Sequence, residues 1–335
     1  MLYVGVDAHK SASQLTVVDE VGEIQDRRRV ASTRAALVGA LEGHAEEQVK
    51  AVLEAGYGWG PIYDWLGEVA DEVILAHPTK VRAIAEARIK NDKLDSEILA
   101  HLLRADLIPE AYAPSKEVRA VKRVLRQRMF FVQLQTRVKN RIRALLAQHS
   151  LELPGTTNLR TKKALGWLKD EAELPEPDAS ILLGNVALLE ALKEREKGTG
   201  DLIEELAAED PAVRVLRSLP GIGVFLSVLI RYEVGDIERF PSAKKFAAYT
   251  GLVPSTYASG DRVRYGKMTK QGNKWLRWAY VEAVRPAMVS SPYVRRNYER
   301  IKARKSAVDA RVATARKLAE LTWKIWKEGR CYEER

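Results

Sequence analysis

Cysteine is almost missing from this chain. Cys331 is the single thiol in 335 residues, so neither an intramolecular disulfide nor a cysteine metal cluster can form, the pattern of a chain kept in a reducing compartment. Long apolar runs are missing too. No stretch of about 18 uninterrupted apolar residues occurs, and the opening residues do not read as a signal sequence, so the expectation is a cytoplasmic chain with no membrane partner. No internal repeat or low-complexity tract stands out, which leaves repeat arrays aside. Acids are in deficit: 45 Asp and Glu against 55 Lys and Arg, a formal charge of +10. That balance favours an acidic partner such as nucleic acid. The apolar fraction of 46% suffices for a full core at this length, with two domains and a helical connector.

The first third alternates strand and helix signals. LYVGVD, QLTVVDE and EIQDRRRV read as an antiparallel meander with turns at HKSAS and EVG. STRAALVGALEGH then carries cap residues and helical spacing, and VKAVLEA reads as a buried parallel strand. A helix around GPIYDWLGEVA, a strand VILA, a helix opened by Pro78 and reaching Glu86, and a helix from Asp92 complete the pattern. This order resembles the ribonuclease H superfamily, so the expected fold is an α/β, RuvC-like domain over 1–111, a helical, coiled-coil-like connector over 112–209, and a mainly α-helical domain over 210–335.

Four acids stand out in the first domain. Asp7 ends a strand with Val4 and Val6 before it, and Glu54 ends the strand VKAVLE. Acids at the carboxyl ends of neighbouring strands face one crevice in an α/β sheet. Asp92 and Asp95 are three apart in a helical stretch and share a face. Each acid alone also reads as a cap, a turn residue or a surface ion pair; together they suit two hard cations about 4 Å apart that stabilise the attacking and leaving oxygens of a phosphodiester displacement. Mg²⁺ suits such a site, and Mn²⁺ could replace it. His9 stands beside Asp7, but Lys10 and Ser11 make that stretch read as a solvated turn.

Two later regions carry basic and glycine signals. Between Lys116 and Arg143 the only acid is Glu117, an imbalance that favours phosphate contact by Arg119, Lys122, Arg123, Arg126, Lys139 and Arg143 over plain solvation. Val118, Val121, Leu125, Met129 and Val138 keep helical or heptad spacing, which also permits self-association. Further on, LPGIG reads either as a helix-hairpin-helix turn whose backbone N–H groups at Gly221 and Gly223 bind a phosphate, or as an ordinary tight turn between buried helices. STYASGDRVRYGKMTKQGNKWLRW places Ser259 and Gly260 in a polar loop, followed by Arg262, Arg264, Lys267, Lys270 and Lys274. The Trp and Tyr residues of the basic C-terminal helix read as core or interface anchors.

GVDAHK, LEAGYG, the DKLD pair, LPGIG, FPSAKKFAAYTGLVP, and ASG followed by TKQGNKWLR resemble the DEDD-type transposases of bacterial insertion sequences, bridge-RNA-guided serine recombinases, over nearly the whole chain. The resemblance implies that Asp7, Glu54, Asp92 and Asp95 hold magnesium and that Ser259 is the nucleophile that links covalently to DNA, with Ser255 a nearby competitor. It also implies double-stranded DNA partners (element ends or junction, and target), an element-encoded noncoding bridge RNA, and a homo-oligomer, dimer or tetramer. Two alternatives remain: a RuvC-like, metal-dependent junction nuclease that uses water, and a non-catalytic nucleic-acid-binding protein.

Overall fold

The computed structural model describes residues 1–44, 46–84, 92–155, 158–259, 262–269 and 271–334, with side chains at all of these except 92, 93, 256–259, 262, 263, 265 and 267. Two compact units divide the chain, Met1–Ala113 and Pro114–Arg335.

The first unit is built on a five-stranded sheet. Strands β1 (Leu2–Ala8), β2 (Ala12–Val18) and β3 (Ile24–Ala31) form the expected meander, and β4 (Val49–Glu54) and β5 (Glu72–Ala76) follow after the helices α1 (Arg34–Leu41) and α2 (Trp59–Leu66). The order is β3-β2-β1-β4-β5, with β1 antiparallel to β2 and parallel to β4. Helices α3 (Pro78–Ile84) and α4 (Asp92–Arg104) complete the unit. Residue Glu86, the expected end of α3, lies outside the described residues.

Strand alternation sorts the side chains into two layers. Leu2, Val4 and Val6 of β1 join Ala51 and Leu53 of β4 and Leu37 and Leu41 of α1 in one core. On the opposite face Tyr3, Val52, Ile74 and Ala76 meet Leu99 and Leu103 of α4.

Gly5 decides how closely α4 can lie on that second face. A Cβ there would sit 1.9 Å from the Ser96 carbonyl oxygen and 2.6 Å from the Ala100 nitrogen. Helix backbone thus rests on strand backbone, which only glycine permits. Beside this contact the buried hydroxyls of Thr16 and Ser96 share a hydrogen bond of 2.8 Å, so the polar atoms enclosed by the close approach are satisfied.

The second unit is mostly helical. Helix α5 (Lys116–Gln148) is one continuous 33-residue helix capped by Ser115. After α6 (Lys162–Asp170) comes α7 (Asp178–Glu209). His149 meets Asp178, Gln135 meets Leu192 and Glu196, and Leu125 and Met129 share a core with Ile203 and Ala207. Those pairings run in opposite directions, so α5 and α7 are antiparallel. Their far halves enclose a core with α6, around Ile142, Leu168 and Val186.

Their near halves join the remaining helices in a second core: α8 (Pro211–Arg217), α9 (Val224–Val234), α10 (Ala243–Tyr249), α11 (Lys274–Ser290), α12 (Pro292–Lys302) and α13 (Ala307–Glu328). Between α10 and α11 stands an antiparallel hairpin, β6 (Pro254–Ser259) and β7 (Arg262–Met268). A polar loop is the expectation from the sequence, and the hairpin replaces it. The alternation of Tyr257, Val263 and Tyr265 around Gly260 and Asp261 is a hairpin signal that the surrounding charges obscure.

Gly5→Ala is expected to lower unfolding stability by about 3 kcal/mol or more, because helix backbone rather than a movable side chain meets the added methyl. Urea denaturation of the variant beside the parent protein measures it.

Candidate active site

Asp7 and Glu54 occupy equivalent places. Asp7 follows Tyr3 and Gly5 in strand alternation, and Glu54 follows Val52, so both carboxylates stand on the face that α4 covers, at the carboxyl ends of adjacent parallel strands. The direction of α4 brings its own acids to the same end. Its last residue, Arg104, donates to the Glu20 carbonyl in the β2–β3 turn, and Glu20 also holds the N-terminal ammonium at the start of β1. Helix α4 therefore runs against β1, and its first turn lies at the end where Asp7 stands. From Ser96 back to position 92 is about 6 Å along a helix, and from Gly5 on to Asp7 is about 7 Å along a strand. Position 92 and Asp7 are level along the strand direction, and position 92 belongs to the same helical stripe as Leu99 and Leu103.

Asp7, Glu54 and Asp95 are half-buried, and the Asp92 side chain lies outside the described set. His9 is exposed in the β1–β2 turn, as expected, and its Nε2 lies 3.1 Å from Asp7 Oδ2, placed to donate to it. Gln14 is a residue the sequence did not single out. It stands directly opposite Asp7 on β2 and is 5% exposed. Among the described residues no three His, Cys, Asp or Glu side chains are grouped closely enough to hold a metal ion. The donors are nonetheless hard carboxylate oxygens, the chemistry that Mg²⁺ prefers.

In the second unit Ser259 is the last residue of β6, paired with Arg262 across the hairpin tip. Side chains of Ser259, Arg262 and Lys267 lie outside the described set, as does all of Lys270. Arg264 and Lys274 are exposed.

The base of the hairpin is held by Glu233 of α9, whose side chain is 3% exposed. Its carboxylate accepts from Arg126 Nη2 at 2.6 Å and from Asn273 Nδ2 at 2.8 Å, and lies 3.5 Å from Lys122 Nζ. Asn273 in turn caps α11 through the Trp275 and Leu276 amides and donates its own backbone N–H to the Tyr249 carbonyl. Burial pulls the Lys122 ammonium below its ordinary value, with Glu233 opposing the shift. A lone glutamate inside the apolar run VFLSVLIRYEV was the sequence signal for this residue.

The basic residues of α5 divide by face. Lys122 and Arg126 turn inward to Glu233, while Arg123 and Arg143 are exposed. Arg119 donates to the Pro114 carbonyl. Lys139 is lowered by partial burial and by Arg160 and Arg143 beside it, a crowding of cations that an anion would relieve.

In the LPGIG turn the two glycines differ. Gly221 has φ of +77°, and a Cβ on it would meet the Ala283 carbonyl oxygen of α11 at 2.3 Å. Gly223 is exposed at the N-terminus of α9. The first is demanded by packing, and the second has backbone open to solvent.

Comparison with known proteins gives two family matches. A model described as "Transposase IS116/IS110/IS902 family" matches residues 213–299, and a DEDD transposase model of IS110 type, described as "Transposase", matches residues 4–151. The chain is 27% identical over 285 residues to the transposase for insertion sequence element IS1111A of Coxiella burnetii, covering 84% of this chain and 76% of that protein. It is 26% identical over 278 residues to the transposase for insertion sequence element IS1328 of Yersinia enterocolitica, covering 80% and 81%.

Glu233→Gln is expected to cost about 3–5 kcal/mol, since two cations would lose their buried counter-charge. Adding Lys122→Met should recover part of that loss. Denaturant midpoints of the single and double variants provide the measurement.

Proposed function

The chain belongs to the IS116/IS110/IS902 family of DEDD-type insertion-sequence transposases, and we propose that it cuts and rejoins DNA through a covalent link to Ser259, with Mg²⁺ held by Asp7, Glu54, Asp92 and Asp95. The observation that carries this reading is the placement of two of the acids. Asp7 and Glu54 share a face and an end of the sheet, and the first turn of α4 comes to that end. Sheet order β3-β2-β1-β4-β5, with one meander and two parallel strands, supports a ribonuclease H-like, RuvC-like assignment of the first unit. Bound there, Mg²⁺ would neutralise phosphate charge and so make phosphorus easier to attack.

The protein's own groups have separate tasks. Glu54 and Asp7 bring negative charge to a half-buried edge, and His9 orients Asp7 by hydrogen bonding. Ser259 attacks phosphorus through Oγ: its Oγ–P bond forms, one P–O bond to deoxyribose breaks, the serine proton leaves, and the departing oxygen is protonated. Rejoining reverses this with a hydroxyl of the incoming strand, so bond energy is retained. Arg264, at the side of the hairpin, stabilises the charge that develops on phosphate. Arg123, Lys139 and Arg143 of α5, with Gly223 and Lys274, hold nucleic acid phosphates without base readout. The same reading assigns Arg119, Arg262, Lys267 and Lys270 to phosphate contact, an element-encoded bridge RNA to target choice, and a dimer or tetramer to the active form.

Two sets of variants test the reading. On DNA carrying joined element ends and a matching target, with copurified RNA present, Asp7→Asn, Glu54→Gln and Asp95→Asn should each lower strand cleavage by about a thousandfold or more while leaving DNA binding within a few fold. Normal cleavage by Asp7→Asn removes the metal assignment. Separately, a denaturing gel should show a protein–DNA adduct that Ser259→Ala abolishes. Persistence of the adduct transfers the role to Ser255 or another hydroxyl, and cleavage without any adduct supports a nuclease that uses water.

A further inference from the structure

The second unit contains a cleft of about 410 Å³ between α5, α9 and α11, within the roughly 300–1,000 Å³ typical of small-ligand sites. Met129 and Val132 line it from α5, and Phe225 and Trp278 from α9 and α11. The two rings meet edge to face, with centroids 6.3 Å apart and planes at 73°. Arg128 lies over Phe225 at 4.6 Å and is anchored by Glu196, to which its Nη2 donates at 3.0 Å. Arg137 is exposed at the rim. Trp278 keeps 36% of its surface exposed.

We propose that this cleft receives an unpaired base of the DNA on which the chain acts, stacked on Trp278, with Arg137 on the adjoining phosphate. The inference rests on the reading above that the chain cuts and rejoins DNA, a process in which bases leave their pairs. Charge decides the class of occupant. An apolar peptide would satisfy Met129, Val132 and the rings but leave the Arg137 guanidinium at the rim unanswered, since Arg128 is already paired with Glu196. A nucleotide offers a flat π face to the indole and an anion to Arg137. The surroundings match, because Glu117 is the only acid between Lys116 and Arg143. One aromatic slot of this size suits one base that has left the stack, not a paired duplex edge. Base stacking is tolerant of sequence, so the cleft would hold a displaced strand without selecting its letters.

The experiment compares two DNA duplexes of the same sequence, one fully paired and one with two unpaired thymidines, by fluorescence anisotropy at one stated salt concentration. Parent protein is expected to prefer the duplex with unpaired bases. Trp278→Ala should lose about tenfold in affinity for it, the order of one stacked base, and leave the paired duplex unchanged. Trp278→Phe should keep most of the affinity, which separates lost stacking from lost folding. Replacing the two thymidines by abasic residues should reproduce the Trp278→Ala result with the parent protein. Arg137→Gln should weaken the duplex with unpaired bases more than the paired one and lower its salt dependence by about one phosphate contact.

Equal loss on both duplexes in Trp278→Ala would overturn the proposal, as would preference for the same bulged duplex made in RNA. A fall in oligomeric state of Trp278→Ala by sedimentation would assign the cleft to a second copy of the chain. Because the assay reads binding alone, these failures leave the cleavage and adduct results standing. Loss of cleavage in Asp7→Asn with intact Trp278 dependence would in turn leave the cleft standing.

Discussion

The contact between Gly5 and the backbone of α4 is the constraint on which the first unit depends. Side chains normally keep a helix axis about 10 Å from a sheet, and a central strand with a side chain at position 5 would hold α4 at that distance. With glycine there, the Ser96 carbonyl occupies the space a methyl would need. The effect is on position as well as on stability. Asp7 lies two residues beyond Gly5 on the strand, and Asp92 lies four residues before Ser96 on the helix. One close contact therefore sets the separation of strand-borne and helix-borne acids along two stiff elements. Side chains placed this way inherit their precision from the scaffold.

Glu233 has a comparable place in the second unit, by different means. It is a buried charge, and such charges contribute little net stability even when paired. Its value is directional. Removing it leaves Lys122 and Arg126 without a counter-charge, so any arrangement of the helices that separates them from Glu233 is penalised. Through Asn273 the same carboxylate holds the start of α11 and the return of the hairpin. Positive charges that sequence composition assigns to DNA are in part used to orient the protein.

Features governed by local pattern were legible in the sequence. The meander and β4 follow from alternation and apolar runs, and α5 follows from apolar spacing. Asp7 and Glu54 could be placed at strand ends because those runs stop there. Three matters were not legible, each for a different reason. His9 is the exposed turn residue the sequence suggests, but its hydrogen bond to Asp7 comes only from the fold of the β1–β2 turn. Lys122 and Arg126 look identical to Arg123 in composition, and only a glutamate about 110 positions later separates them. The hairpin was read as a loop because its charged residues dominate its alternation. Gly221 shows a milder form of the same problem. The sequence allowed a phosphate turn or a packing turn, and the nearness of α11 gives this glycine a packing reason.

Helix α5 also acts as a measure of length. It takes part in two separate cores, near residues 125–129 and near 138–146, so neither end can slide or fray without disturbing packing. Arg123 and Arg141, both exposed, are 18 positions apart, which is five whole helical turns and returns to the same side of the rod, about 27 Å along its axis. A rod built into two cores keeps such positions a fixed distance apart, so α5 works as a spacer whose length is set by its backbone and not by the side chains it carries.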